Sequence, residues 1–147
     1  MDIRVQTDPF DIGAETTRFA SARSRDGAIV TFTGLVRDNT DGTLEHMEIE
    51  QYPGMTQRAL ETIATQATKR WSLGGCLVIH RHGVLRPGEA IMMVATAARH
   101  RADAFSAAEY LMDYLKSRAP FWKKEVTADG ADWVEARTED EQALTRW

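Results

Sequence analysis

The sequence predicts an α+β domain, on three observations. Two long stretches, 55–71 and 102–118, carry apolar residues at helical spacing. Short β-branched or alternating stretches lie around them, bounded by Gly, Pro, Asn and Asp. The 147 residues, 43% of them hydrophobic, are enough for a core, since a chain of this size hides roughly 70% of its unfolded surface. No repeat, low-complexity tract or Pro/Gly/Ser-rich linker interrupts residues 1–147, which read as a single domain. Strand pairing is not legible in the pattern, so an α/β arrangement with mixed sheets stays open beside the first.

The elements follow in order. Residues 2–6 form a short strand that Asp8-Pro9 ends. Residues 11–24 allow a helix capped by Asp11, with Ile12, Phe19 and Ala20 on one side. Residues 28–36, AIVTFTGLV, are β-branched and aromatic and predict a strand, and the turn-formers of 37–43 an exposed loop. Residues 44–51 alternate through Leu44, Met47 and Ile49, with a slip at 45–46, and read as a half-exposed strand. Tyr52-Pro53-Gly54 makes a turn into helix 55–71, whose stripe is Ala59, Leu60, Ile63, Ala64, Ala67 and Trp71. Gly74-Gly75 stops that helix. Strands follow over 76–82 and 89–98, the second after an Arg86-Pro87-Gly88 turn. Helix 102–118 ends at Pro120. Residues 121–127 and 132–136 pair as a hairpin around Asp129-Gly130, and the acidic tail reads as a solvated face.

Composition excludes several classes of function. Net charge is −4, which argues against a strong attraction to nucleic acid or an anionic membrane. The one cysteine, Cys76, excludes an internal disulfide and a cysteine-based zinc site, and fits a reducing, cytoplasmic compartment. The start shows no signal peptide, and the longest apolar run, Ala90 to Ala98, is too short to span a bilayer. The P-loop, dinucleotide and nucleophile-elbow glycine patterns are absent.

The basic residues are unevenly placed. Four of the 18 are lysines, and Lys116, Lys123 and Lys124 fall within nine residues. Lys116 sits in the last turn of a helix and Lys123 in the strand after Pro120, so the two can share a pocket. Neighbouring cations and a dry wall of Phe121 and Trp122 would lower a lysine from about 10.4 toward neutrality, where it can move protons. The plainer use of the same residues is as helix-end and solvent-facing cations. Arg99-His100-Arg101 opens a helix and makes a phosphate or carboxylate cradle; exposed arginines beside a hydrogen-bonded histidine is the bland alternative. Arg37 follows a strand directly, a common place for a site residue. His80 and His82 share a strand face and could hold a metal, but no Asp, Glu or Cys completes the set at a familiar spacing. Cys76, inside an apolar strand, reads as core.

The stretches GAIVTFTGLVRD, EQYPGMT, VIHRHGVLRPGE, ARHRADAF, MDYLKSRAPFWKKE and WVEAR, in this order, resemble the family of large, catalytic subunits of molybdopterin synthase, from about Asp26 to Trp147. The resemblance implies an α+β fold with an α/β hammerhead-type portion, and a sulfurtransferase of molybdenum cofactor biosynthesis. Its substrate would be cyclic pyranopterin monophosphate. Sulfur would come from the C-terminal Gly-Gly thiocarboxylate of a small ubiquitin-like subunit, within a heterotetramer built on a dimer of large subunits. The resemblance makes Lys116 the essential lysine and Lys123 its catalytic partner. It makes Arg37, His100, Arg101 and Arg137 substrate-binding residues, with His100 and Arg101 reaching across from the neighbouring large subunit. It implies no metal and no cofactor. Gln51 departs from the histidine of many bacterial members, and the resemblance assigns nothing to it or to His80 and His82.

Two other uses compete. An adaptor would bind the ubiquitin-like tail without converting a pterin. A single-strand nucleic-acid module would use Lys116, Arg118, Lys123 and Lys124 with Phe121 and Trp122 as stacking rings.

Overall fold

Eight strands divide between two four-stranded sheets in the computed structural model, which describes all 147 residues. The order is β1 (Asp2–Gln6), α1 (Ile12–Ala20), β2 (Ala28–Leu35), β3 (His46–Gln51), α2 (Met55–Trp71), β4 (Gly75–Arg81), β5 (Gly83–Leu85), β6 (Ala90–Ala98), α3 (Arg101–Ser117), β7 (Phe121–Thr127), β8 (Gly130–Trp133) and α4 (Thr138–Ala143), then a 3₁₀ turn at Leu144–Arg146. The first sheet runs β1-β4-β6-β2 and is mixed, because β1 pairs parallel to β4 while β6 is antiparallel to both β4 and β2. The second, β5-β3-β7-β8, is antiparallel throughout. The α+β expectation with mixed and antiparallel sheets therefore holds.

β4 is buried along its whole length and β6 nearly so, as their unbroken apolar runs require of central strands. One face of the first sheet meets α2 and α3 in a core that also takes Met47, Ile49 and Leu85 from the second sheet. The other face carries a smaller cluster of Leu77, Ile79, Met93, Ala95 and Ala97 under Phe19 of α1. Thr96 is the polar break in β6; its hydroxyl donates to the carbonyl of Ala104 at 2.7 Å and ties the first turns of α3 to the strand.

Several boundaries differ from the sequence expectation. The first helix ends at Ala20 rather than residue 24, because Ala22 takes a positive φ and Arg23 turns back to Asp26 and the Gly74 carbonyl. Ser72, not a glycine, supplies the left-handed cap of α2. The glycines answer a different demand: a Cβ on Gly74 would lie 2.2 Å from Asp26 Oδ1, and one on Gly75 2.3 Å from the Arg23 guanidinium. Gly75 already belongs to β4. The strand expected at 44–51 pairs from His46, although the Glu45 amide still donates to the Val126 carbonyl. β5, three residues long, carries no readable period. The last hairpin pairs 121–127 with 130–133, not 132–136, so Gly130 opens the strand instead of only turning it.

The acidic tail is also more than a solvated face. Glu139, Asp140 and Glu141 occupy the first turn of α4, where negative charge favours the helix dipole. Glu141 pairs with Arg118, Arg146 pairs with Glu109 and Asp113, and the Trp147 indole donates to Asp113 while packing edge-on to Trp71 and Tyr110.

Candidate active site

Antiparallel pairing decides which residues share an end of the molecule. β2 and β6 pair Ala28 with Ala98 at one end and Leu35 with Ala90 at the other. α3 leaves β6 after Ala98 and returns along the same sheet, so its last turn, with Lys116, reaches the end where β2 stops. Arg37 follows there. Its predecessor Val36 is pinned on both sides: its amide donates to the Glu89 carbonyl and its carbonyl accepts from the Gly88 amide, each at 2.8 Å. His80, opposite Met92 in the β4–β6 register, lies at this end too.

β7 brings the second lysine. Phe121 stacks on the His80 ring with centroids 3.7 Å apart and planes within 15°. Alternation along a strand then puts Lys123 on the same face as Phe121, toward His80 and Lys116. Burial pushes the Lys123 ammonium down to about 8; Lys116 pushes the same way, and Asp140 of α4 opposes them. Lys116 itself is exposed. The pair is therefore unequal in setting: Lys116 is exposed, and burial lowers Lys123 toward the range where acid–base work is done.

The same alternation separates Lys124 from the pair. It pairs with Glu48 at 3.3 Å and lies over the Trp133 ring on the opposite face. Trp122, expected in the dry wall, is on that face too and 48% exposed, so Phe121 and His80 form the wall. Lys124 and Arg118 are each paired to a carboxylate and Phe121 is stacked on His80, which counts against a single-strand nucleic-acid module.

Arg137 stands at the N-cap position of α4 without a side-chain capping bond and is exposed. The Val134 amide donates to the Lys123 carbonyl at 2.7 Å, so Arg137 starts three residues from the lysine's own backbone. His100 and Arg101 sit elsewhere. They open α3, whose 17 residues span about 25 Å. Within one chain they therefore face away from the lysine pair, beside a groove of ≈ 430 Å³ with Ser24, Arg25, Asp26, Gly27 and Arg99. His100 makes no side-chain cap, so the first amides of α3 stay free.

His80 and His82, which share a strand face in the sequence, are not built as a metal pair. His80 is 5% exposed, its Nδ1 is bonded to the Arg81 carbonyl at 2.8 Å, and its face is covered by Phe121. Burial, with the charges of Lys123, Lys116 and His82, pushes its imidazole down to about 3. Cys76 is core as expected, its thiol pushed up to about 11 by burial. The sequence reading gave two residues near the lysines no role at this site: His80, weighed only as a metal ligand, and Asp140. A histidine inside the apolar run CLVIHR was the available signal for the first; an acidic run carries none for the second. Gln51 pairs with Phe121 across β3 and β7, which puts it beside this site.

The chain also matches known proteins in sequence and fold. A family model described as MoaE protein matches residues 5–118. The molybdopterin synthase catalytic subunit of Cereibacter sphaeroides is 67% identical over 147 residues, all of both chains. The structure of a molybdopterin biosynthesis MoaE protein from Burkholderia ambifaria is 50% identical and superposes with a TM-score of 0.83, covering 99% of this chain and 97% of that one. The fold recurs, at 16% identity and a TM-score of 0.77, in a chain of the complex of subunits 1 and 2 of molybdopterin-converting factor from Helicobacter pylori, with 92% and 91% of the chains covered.

Proposed function

The chain belongs to the MoaE family, and from that membership we propose that it is the catalytic subunit of a molybdopterin synthase. It takes sulfur from the C-terminal thiocarboxylate of a small ubiquitin-like subunit and installs the dithiolene of molybdopterin on cyclic pyranopterin monophosphate. The observation that carries this assignment is the unequal lysine pair at the end of α3 and β7, with Lys123 held near 8 beside an exposed Lys116. A thiocarboxylate is an anionic nucleophile. Lys116, exposed to solvent, receives it by charge and hydrogen bond and carries a proton as sulfur adds to the pterin side chain; water then splits the resulting thioester, leaving sulfur on the pterin and a carboxylate on the small subunit. Lys123, in a drier setting, stabilises the oxyanion that develops. Arg37 and Arg137 hold the substrate's anionic groups from the same chain.

His100 and Arg101 lie about 25 Å away along α3, so they serve this pocket only from a second copy. We therefore propose a dimer of large subunits with a small subunit at each end, and one domain over residues 1–147. Two sulfurs are needed, so the small subunit is exchanged or revisited between steps. The residues supply the charge and proton handling, and no metal or diffusible cofactor takes part. No helix is long and apolar enough to cross a membrane, and we place the protein in the cytoplasm.

The test is reconstitution with a thiocarboxylated partner and the cyclic pterin, following the pterin mass. A gain of two sulfurs is expected, and Lys116→Ala should abolish it while the circular dichroism spectrum is kept. Tail binding without any mass gain would favour the adaptor instead.

A further inference from the structure

His80 has no task in the sulfur transfer described above, yet its setting is built with care. It stands in the buried strand β4 and is 5% exposed. A carbonyl only accepts, so the 2.8 Å contact from Nδ1 to the Arg81 oxygen makes Nδ1 the protonated nitrogen and locks the ring's rotation. The locked ring then lies flat on Phe121 of β7. Phe121 is two residues before Lys123 and shares its face of the strand.

We propose that His80 is a positioning residue for Lys123: its fixed imidazole holds Phe121 by the ring stack and thereby keeps Lys123 in its half-buried place opposite Lys116. The inference rests on the sulfur-transfer assignment for what Lys123 does, and on the stack alone for where it sits. A ring is needed for the face, and a nitrogen for the lock. The ring also has to be neutral, because a cation would add a third positive charge to the two lysines. The charged and titratable groups bearing on the pair are Lys116 from α3, Asp140 from α4 and His82 beyond the end of β4. Removing the stack exposes Lys123 to more water, and since burial is the largest cause of its low value, its pKa should climb toward the ordinary 10.5.

The experiment is an NMR titration of the labelled lysine side chains in the full-length chain, with steady-state kinetics beside it. In the wild type Lys123 should titrate near 8. In His80→Leu it should move upward, and kcat should fall about tenfold or more with KM for the small subunit unchanged, as expected when a catalytic group is misplaced. Phe121→Leu removes the same stack from the other side and should give the same upward shift, which covers the case in which His80→Leu does not fold. His80→Phe keeps a flat neutral ring and should hold Lys123 closer to 8 than His80→Leu does. Lys123 still titrating near 8 in Phe121→Leu, or in a folded His80→Leu, would overturn the proposal. So would a His80→Phe variant indistinguishable from His80→Leu. The titration needs no substrate. A shift seen in a protein that converts no pterin would uphold the positioning role and remove only the sulfur-transfer assignment.

Discussion

Lys123 and His80 are both ionisable side chains that burial holds toward their neutral forms, and both have measurable pH signatures. Lys123 is lowered from 10.5 to about 8, so the ammonium that would stabilise an oxyanion is lost as pH rises through that value. Turnover is therefore expected to fall above about pH 8, and Lys123→Arg, which stays charged, should move that limb upward even where it lowers the rate. A rate that instead rises through the same pH would make Lys123 the base. His80 titrates lower, its imidazole falling from 6.5 to about 3 in the folded chain. As pH drops below 6.5 the unfolded chain takes up that proton and the folded chain does not, so stability is lost between about pH 6.5 and 3. The contribution is at most about 1.4 kcal/mol per pH unit. Chemical denaturation at pH 7 and pH 4 should show His80→Phe losing less stability over that interval than the wild type.

At the level of elements, the C-terminal segment ties the site to the rest of the fold. α4 carries Asp140, which draws the Lys123 value upward against burial and Lys116. Asp140→Asn should lower the Lys123 titration further below 8 without moving any strand, and a titration unchanged within error would detach α4 from the site. The other end of the segment is mechanical. Arg146 and Trp147 grip Asp113 and Glu109 of α3, while Trp147 covers Trp71 and Tyr110. Deleting 144–147 exposes those rings and should lower Tm by several degrees, since about 1 kcal/mol already shifts a domain of this size by a few degrees. A similar argument applies to the Arg23–Asp26 knot: Gly74→Ala puts a methyl 2.2 Å from Asp26 Oδ1 and should destabilise clearly in urea unfolding, because Asp26 is held by Arg23.

At the level of the whole molecule, one chain holds a lysine-bearing end and a His100–Arg101 end that do not meet. Lys116, Lys123 and Arg37 lie at one end of the first sheet, and His100 and Arg101 at the other end of α3. If two copies complete each other's site, a mixture of Lys116→Ala and Arg101→Ala proteins regains activity that neither has alone. Free exchange of a symmetric dimer should restore roughly a quarter of the wild-type rate. No recovery after demonstrated subunit exchange would place both ends' residues in separate roles.

Much of this was legible in residue order. The helical stripes of 55–71 and 102–118, the apolar runs that became β4 and β6, and the lysine-bearing break at Pro120 are local patterns, and local sterics and hydrophobic period decide them. The short strand β5 and the turn α4 were not legible, because three and six residues carry too little period to read. The site was half legible for the same kind of reason. Which residue types could move protons or hold anions is a property of side chains, and Lys116, Lys123, Arg37, His100 and Arg101 could all be picked out from type and place in the chain. Which of them share a space depends on strand register and on the face each side chain takes. Alternation along β7 separated Lys124 from Lys123 and Trp122 from Phe121, and register decided which of the two faces met the core. It stacked His80 on Phe121, brought Asp140 to a lysine 17 positions away, and set the lysine pair and the His100–Arg101 pair at opposite ends of one helix. Those are long-range pairings, fixed by burial of the two sheets against common helices, and no window of neighbouring residues contains them.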